Sequence, residues 1–179
     1  MRPVVSQVPG VIITHMNASA VGKTNIEVNK AYVAGLIDGD GAIAATIEKN
    51  SENKFGFRVR VEIKITQKDN HLLLNLAKEF KAGRVSRNAR RDASYTTHDW
   101  IVRDKKDCIR ILEYIRPYTR LKSKQISIAL KILRIEIIKQ KDLIKSAKLA
   151  DALSQFNVRS KNRRKNFATL IKVSVSPND

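Results

Sequence analysis

A chain of 179 residues, 42% hydrophobic and 29% charged, is sized for one globular domain with a real core, which excludes an intrinsically disordered protein. Its 35 Lys and Arg against 17 Asp and Glu leave a formal net charge of +18, which calls for a polyanionic partner, because each neutralised phosphate releases counterions. No run of about 18 apolar residues exists to span a bilayer, so nucleic acid is favoured over a membrane.

Residues 1–24, with Pro3, Pro9, Gly10 and Gly22, read as an N-terminal arm, since they lack the basic start and long apolar core of a signal peptide. Thr24-Asn-Ile-Glu27 has the spacing of a capping box and predicts a helix from Asn25. That helix runs through Ala31, Val33, Ala34, Leu36 and Ile37, and Gly39 and Gly41 are expected to stop it by taking the left-handed conformation. In Ala42–Glu48, Ile43, Ala45 and Ile47 alternate with Ala44, Thr46 and Glu48. After a polar loop at Lys49–Lys54, Phe57, Val59, Val61, Ile63 and Ile65 alternate with Arg58, Arg60, Glu62 and Lys64. Period two over both segments predicts a hairpin with one buried and one wet face.

A helix is predicted over Asp69–Phe80, with Leu72, Leu73, Leu76 and Phe80 on its apolar side and Gly83 as its stop. Arg84–Arg87 and Tyr95–Val102 form a second predicted hairpin across the basic loop Asn88–Ala93. Lys105–Ile115 reads as a helix stopped by Pro117, because proline disfavours helical geometry in the residue before it. Ser123–Ile144 reads as one long helix rich in isoleucine and leucine, and Ser154–Lys165 as the start of a basic, loosely packed helix or tail. The domain is therefore α+β, in the order αββαββα with a four-stranded antiparallel sheet. It occupies residues 25–150, followed by the basic C-terminal helix or tail, 151–179. The motif described next occurs once, so no internal duplication is expected.

Asp38 and Asp40 lie where a helix ends, at the negative pole of its dipole, which disfavours carboxylates. A hard cation reverses that sign, since carboxylate and terminal carbonyls then both favour it. Gly35 and Gly39 are four residues apart, with Ala31 one turn earlier, and a face this smooth lets a second helix approach closely. With one copy per chain the natural partner is the same helix of a second subunit. Two Asp40 carboxylates then meet near a two-fold axis, facing two DNA strands. Cys108 stands alone, which excludes an internal disulfide and suits a reducing compartment, and His15, His71 and His98 show no zinc-ligand spacing.

The segment Ala31–Gly41, AYVAGLIDGDG, and within it Val33–Gly41, closely resembles the signature of the LAGLIDADG homing endonucleases, in the single-motif branch that dimerises. Ile65-Thr-Gln-Lys68 and Arg116–Gln125 (RPYTRLKSKQ) resemble two further segments of that family, so the likeness extends over roughly Glu27–Ile144. The resemblance implies a saddle-like sheet, a homodimer built on the signature helix (Ala31, Gly35 and Gly39 at the interface), and site-specific double-strand cutting at a long pseudo-palindromic DNA target. It implies a divalent metal, Mg with Mn or Ca as substitutes for binding, held by Asp40 and the Gly39 carbonyl. Asp38 is assigned a capping or structural task instead. Gln67 and Lys122 match the polar residues that order catalytic waters and stabilise phosphate charge, so the catalytic set is Asp40, Gln67 and Lys122. His71 stands where the family often carries a basic active-site residue.

By the same resemblance the concave sheet covers the major groove of double-stranded DNA. Its readers are Ala44, Thr46, Glu48, Arg58, Arg60, Glu62 and Lys64, extended by Arg84, Ser86, Asn88, Thr97 and Asp99. The implied compartment is a prokaryotic cytoplasm or the organelle that encodes the gene. The alternative is a non-cutting binder of the same fold, an intron maturase with intron RNA as partner or a transcription regulator.

Overall fold

The computed structural model describes residues 21–89, 94, 96–157 and 167–174. The order is α1 (Val21–Asp40), β1 (Gly41–Lys49), β2 (Phe57–Gln67), α2 (Asn70–Phe80), β3 (Arg84–Asn88), β4 (Thr97–Val102), α3 (Lys105–Ile115), α4 (Ser123–Arg134), α5 (Gln140–Phe156) and α6 (Phe167–Ser174). The four strands form one antiparallel sheet, as expected, and its order is β1-β2-β4-β3. Ile43, Ala45, Val61, Ile63, Ile65, Trp100 and Val102 line its buried face, and α1, α2, α3 and α4 close over them with Val33, Ile37, Leu73, Ile111 and Ile126. Trp100 is fully buried, stacks on Phe80 at 5.8 Å, and donates its indole N–H to the Ala82 carbonyl at 2.9 Å.

Several boundaries differ from the sequence reading, each for a local reason. α1 begins at Val21, so Thr24 lies within the helix and residues 21–24 of the expected arm are helical; the rest of that arm, 1–20, lies outside the described residues. Neither Gly39 nor Gly41 is left-handed. Gly41 is needed for a different reason: a Cβ there would sit 2.7 Å from Ile37 Cα and the Ile37 carbonyl oxygen, because α1 passes directly into β1. α2 is closed by Lys81, which takes the left-handed conformation (φ 46°) before Gly83 (φ 77°), and its N-terminus is capped by Asp69, which accepts from His71 N–H at 2.9 Å. α3 ends at Ile115 as predicted, yet Arg116, just before Pro117, keeps a right-handed helical conformation. The stop comes from the proline's missing N–H rather than from its effect on the preceding residue.

The expected long helix is two. α4 stops at Arg134, Ile135–Lys139 are extended or bent, and α5 starts at Gln140. Asp142 sets the restart, accepting from the backbone N–H groups of Lys139 (2.8 Å) and Ile138 (3.3 Å). α5 then runs unbroken past residue 150, and its Leu153 is buried in the main core. Asp151 accepts from Phe167 and Ala168 N–H at 2.7 and 3.0 Å, which brings the first turn of α6 against α5. Ile171 of α6 is buried with Leu143 and Ala147. Residues 158–166 of the predicted basic tail, and Tyr95 of the predicted strand, lie outside the described residues.

Candidate nuclease site and nucleic-acid interface

Asp40 is the last residue of α1 and is exposed. Gln67, the last residue of β2, donates from Nε2 to Asp40 Oδ2 at 2.6 Å. The contact follows from topology, since Gly41 pairs with Ile65 in the β1–β2 ladder and so sets the ends of α1 and β2 side by side.

Two residues earlier, the Asp38 carboxylate faces the segment that leads into α4. Its Oδ2 accepts from Arg120 N–H (2.7 Å) and Leu121 N–H (3.1 Å), and its Oδ1 from Lys122 N–H (3.0 Å). Lys122 in turn donates from Nζ to the Asp38 backbone carbonyl at 2.5 Å. The end of α1 therefore holds both later candidates, Gln67 through Asp40 and Lys122 through Asp38. Gly39, exposed between the two carboxylates, has nothing within 4 Å of where a Cβ would stand, nor has Gly35. His71 is exposed on the first turn of α2, and its side chain makes no hydrogen bond among the described residues.

The donor set suits a hard divalent ion: one exposed carboxylate beside the terminal carbonyls of a helix. Among the described residues no three His, Cys, Asp or Glu side chains cluster as a complete metal cage.

Strand register places all twelve predicted reader positions on one face. Ala44 pairs with Glu62, Thr46 with Arg60 and Glu48 with Arg58, while Ser86 pairs with Asp99 and Asn88 with Thr97. Lys64 and Arg84 both oppose Ile101, which links the two hairpins into one surface. The charged members already hold one another. Glu48 bridges Arg58 (3.1 Å) and Arg60 (3.3 Å), and Arg103 meets Glu62 at 2.5 Å.

Asp99 alone of the twelve is buried. It is 5% exposed, accepts from Thr66 Oγ1 at 2.6 Å and lies 3.6 Å from Lys64 Nζ. Burial alone would push its carboxyl up, but hydrogen bonds from Thr66 and Asn88 and the Lys64 ammonium outweigh it, so the group stays below the usual carboxylate range. Asp99 braces the surface from inside.

Three residues missed in the sequence belong to these surfaces. Thr66 extends the alternation past Lys64, and Arg103 follows β4; continuing the period-two count by one step would have found Thr66. Tyr32 is 53% exposed on α1 beside Ala31, a large apolar residue whose position in the helix carried no signal of its own.

The LAGLIDADG endonuclease family model matches residues 33–132. The chain belongs to the LAGLIDADG endonuclease family. It is 34% identical over 104 residues to the DNA endonuclease I-CreI of Chlamydomonas reinhardtii, which covers 57% of this chain and 60% of that protein, so it spans under two thirds of that relative. Its fold is that of the homing endonuclease I-CvuI, solved with the I-CreI target in 2 mM Mg with the DNA uncleaved (TM-score 0.72, 24% identity, 84% of this chain and 94% of that one). The archaeal intron-encoded homing endonuclease I-Vdi141I, solved with DNA, is similar too (TM-score 0.70, 19% identity, covering 83% and 94%). As a LAGLIDADG endonuclease family member, the chain carries its matched segment from inside α1 into α4, including Asp40, Gln67 and Lys122.

Proposed function

We propose that this protein is a site-specific DNA endonuclease acting as a homodimer, with Asp40, Gln67 and Lys122 as its catalytic residues and Asp40 with the Gly39 carbonyl as its metal donors. The observation that carries the reading is the junction at the end of α1, where Gln67 bonds Asp40 and Lys122 is fastened through Asp38. A divalent ion bound there, magnesium in the first instance, supplies Lewis acidity to a phosphate oxygen. Gln67, tethered to one carboxylate oxygen, orients a water for in-line attack. Lys122 places a positive charge where a leaving oxygen develops its negative one.

Dimerisation supplies the second half of the site. The outer face of α1 (Ala31, Tyr32, Gly35 and Gly39) is exposed in the single chain, and the two glycines leave room for a neighbouring backbone. A copy of α1 packed there brings two Asp40 residues together, one for each strand of a pseudo-palindromic target. The paired sheets then present Ala44, Thr46, Glu48, Arg58, Arg60, Glu62, Lys64, Arg84, Ser86, Asn88 and Thr97 to the major groove, where arginine suits guanine and glutamate suits cytosine.

The test is selection of cleaved molecules from a library of randomised palindromic duplexes, with Mg²⁺ and with EDTA. A single enriched sequence cut in both strands, in the Mg²⁺ arm only, is the expected outcome. Enrichment of bound but intact duplexes in both arms would support the alternative, a non-cutting binder.

A further inference from the structure

β2 is a central strand for only half its length. On one side β1 pairs with it from Phe57 to Ile65, but on the other β4 pairs only from Ile63 onward, because the chain leaves the sheet at Arg103 to enter α3. The Gly56 carbonyl accepts from Asn50 N–H across the hairpin, so in an antiparallel ladder the even-numbered residues of β2 face β1 and the odd-numbered ones face away. The outward groups at Phe57 and Val61 are partly used: Asn53 Nδ2 donates to the Phe57 carbonyl at 3.1 Å, and Cys108 Sγ lies 3.7 Å from that of Val61. Among the described residues, no strand pairs with the outward backbone groups of Val59 or with Val61 N–H.

This open edge forms one wall of a groove of about 850 Å³, whose opposite wall is the end of α4, the α4–α5 link and α5. Its floor is apolar, made by Val59 and Val61 with Ile132, Leu133, Ile135 and Ile137. Set in it is Ser146, 1% exposed, whose Oγ has no hydrogen-bond partner. A buried hydroxyl normally finds an acceptor, and this one lines the groove without one. The rim is net cationic: Lys54, Arg58, Arg60, Arg84, Arg103 and Lys105 stand against Asp104 and Glu136, even with Glu48 shared between Arg58 and Arg60 and Glu62 paired with Arg103. Asp104 is already engaged in capping α3.

We infer that this groove is a second binding site, for an extended segment of a partner protein that alternates apolar and acidic residues and adds to β2 as a strand. The main chain of such a segment satisfies the edge groups of Val59 and Val61, continuing the line of β4. Strand alternation sends every second side chain down to the apolar floor and the others up beside Arg58 and Arg60 on the wet face. Apolar residues suit the first set and carboxylates the second. The charge argues for a partner rather than this chain's own N-terminus, since residues 1–20 contain no Asp or Glu.

The experiment uses the full chain and a fluorescein-labelled heptapeptide alternating valine and glutamate, read by fluorescence anisotropy at physiological salt. Two control peptides have the same composition: one groups valines and glutamates in separate blocks, the other is N-methylated on the amides of one edge. The expected result is saturable binding of the alternating peptide, with roughly tenfold weaker binding or worse for each control. Ile135→Glu, outside every helix and strand, is expected to weaken binding by a similar factor while the thermal unfolding midpoint is retained. Amide hydrogen exchange gives a readout independent of any variant: Val59 and Val61 N–H should exchange more slowly when the alternating peptide is bound. Equal binding of the block peptide, or binding without protection of those amides, would overturn the inference. So would protection of them by a single-stranded oligonucleotide and not by the peptide.

Discussion

At Asp38 both carboxylate oxygens accept from backbone N–H groups of Arg120, Leu121 and Lys122, whereas Asp40 receives one hydrogen bond, from Gln67. Asp38→Ala should therefore cost about 0.5–1.5 kcal/mol of stability, since it removes the acceptor of three backbone N–H groups, of which that of Lys122 is half-buried and the other two are exposed. It should also slow cleavage by releasing the segment that carries Lys122, although every catalytic residue is intact; urea unfolding and single-turnover cutting check the two parts. Asp99 titrates differently from a surface carboxylate. Its pKa is lowered in the folded state, so its contribution to stability is present above the ordinary carboxylate range and is lost as pH falls through and below that range. Urea midpoints between about pH 6 and about pH 2 should fall in the wild type, and Asp99→Asn should reduce that fall. Burial, with Asp104 and Asp107 nearby, pushes the Cys108 thiol up to about 12, so it should resist thiol reagents until the chain unfolds.

The grouping of Gln67 and Lys122 around the end of α1 was legible because the signature and the two later segments keep the family's spacing. Asp99 was not, because parity along a strand gives the face and not the depth. Its burial depends on Thr66 and Lys64 of a neighbouring strand, which period-two counting cannot see.

Elements formed by strong alternation were readable with little error, since period two leaves no other way to bury Ile43, Val61 and Ile63 together. Helix ends were less so. Gly41 and Gly83 were both read as left-handed stops, but only Gly83 has positive φ. At both, a Cβ also meets fixed atoms: Ile37 backbone at 2.7 Å for Gly41, and Trp100 Nε1 at 2.6 Å with the Ile101 carbonyl at 2.7 Å for Gly83. Gly83→Ala should cost about 1–3 kcal/mol from backbone strain alone, with the steric term added, as urea denaturation would report. The break at Ile135–Lys139 was invisible because its isoleucines continue the apolar pattern of the helices on either side. The helix restarts at a local cap, Asp142 accepting from the Ile138 and Lys139 amides, and Lys139 at the cap position is not one of the residue types that signal a helix start in a sequence. The β2 edge beside it was equally hidden, since a strand's sequence does not say how far its neighbour follows it.

For the whole molecule, α1 joins two tasks that the comparison of single residues keeps apart. Its inner face (Val33, Ala34, Ile37) belongs to the core, and its outer face is open. A Cβ at exposed Gly35 meets nothing within 4 Å in the single chain, so Gly35→Leu should leave the fold intact, at a helix propensity gain of under about 1 kcal/mol, while blocking close approach of a second α1. Light scattering should then change from twice the 20.2 kDa chain mass to that of one chain, with cleavage lost. DNA affinity should fall steeply with added salt, as expected of a surface that grips phosphates with arginine and lysine.

The central claim is that Asp40 works in cutting and not in holding DNA. The direct measurement compares wild type and Asp40→Asn on the selected duplex, scoring Mg²⁺-dependent cleavage of both strands and, in Ca²⁺, binding. The account predicts that the variant binds within a few-fold of wild type and cuts at least about 10²-fold more slowly. Equal cutting by the variant, or wild-type binding with no Mg²⁺-dependent cutting, would contradict it.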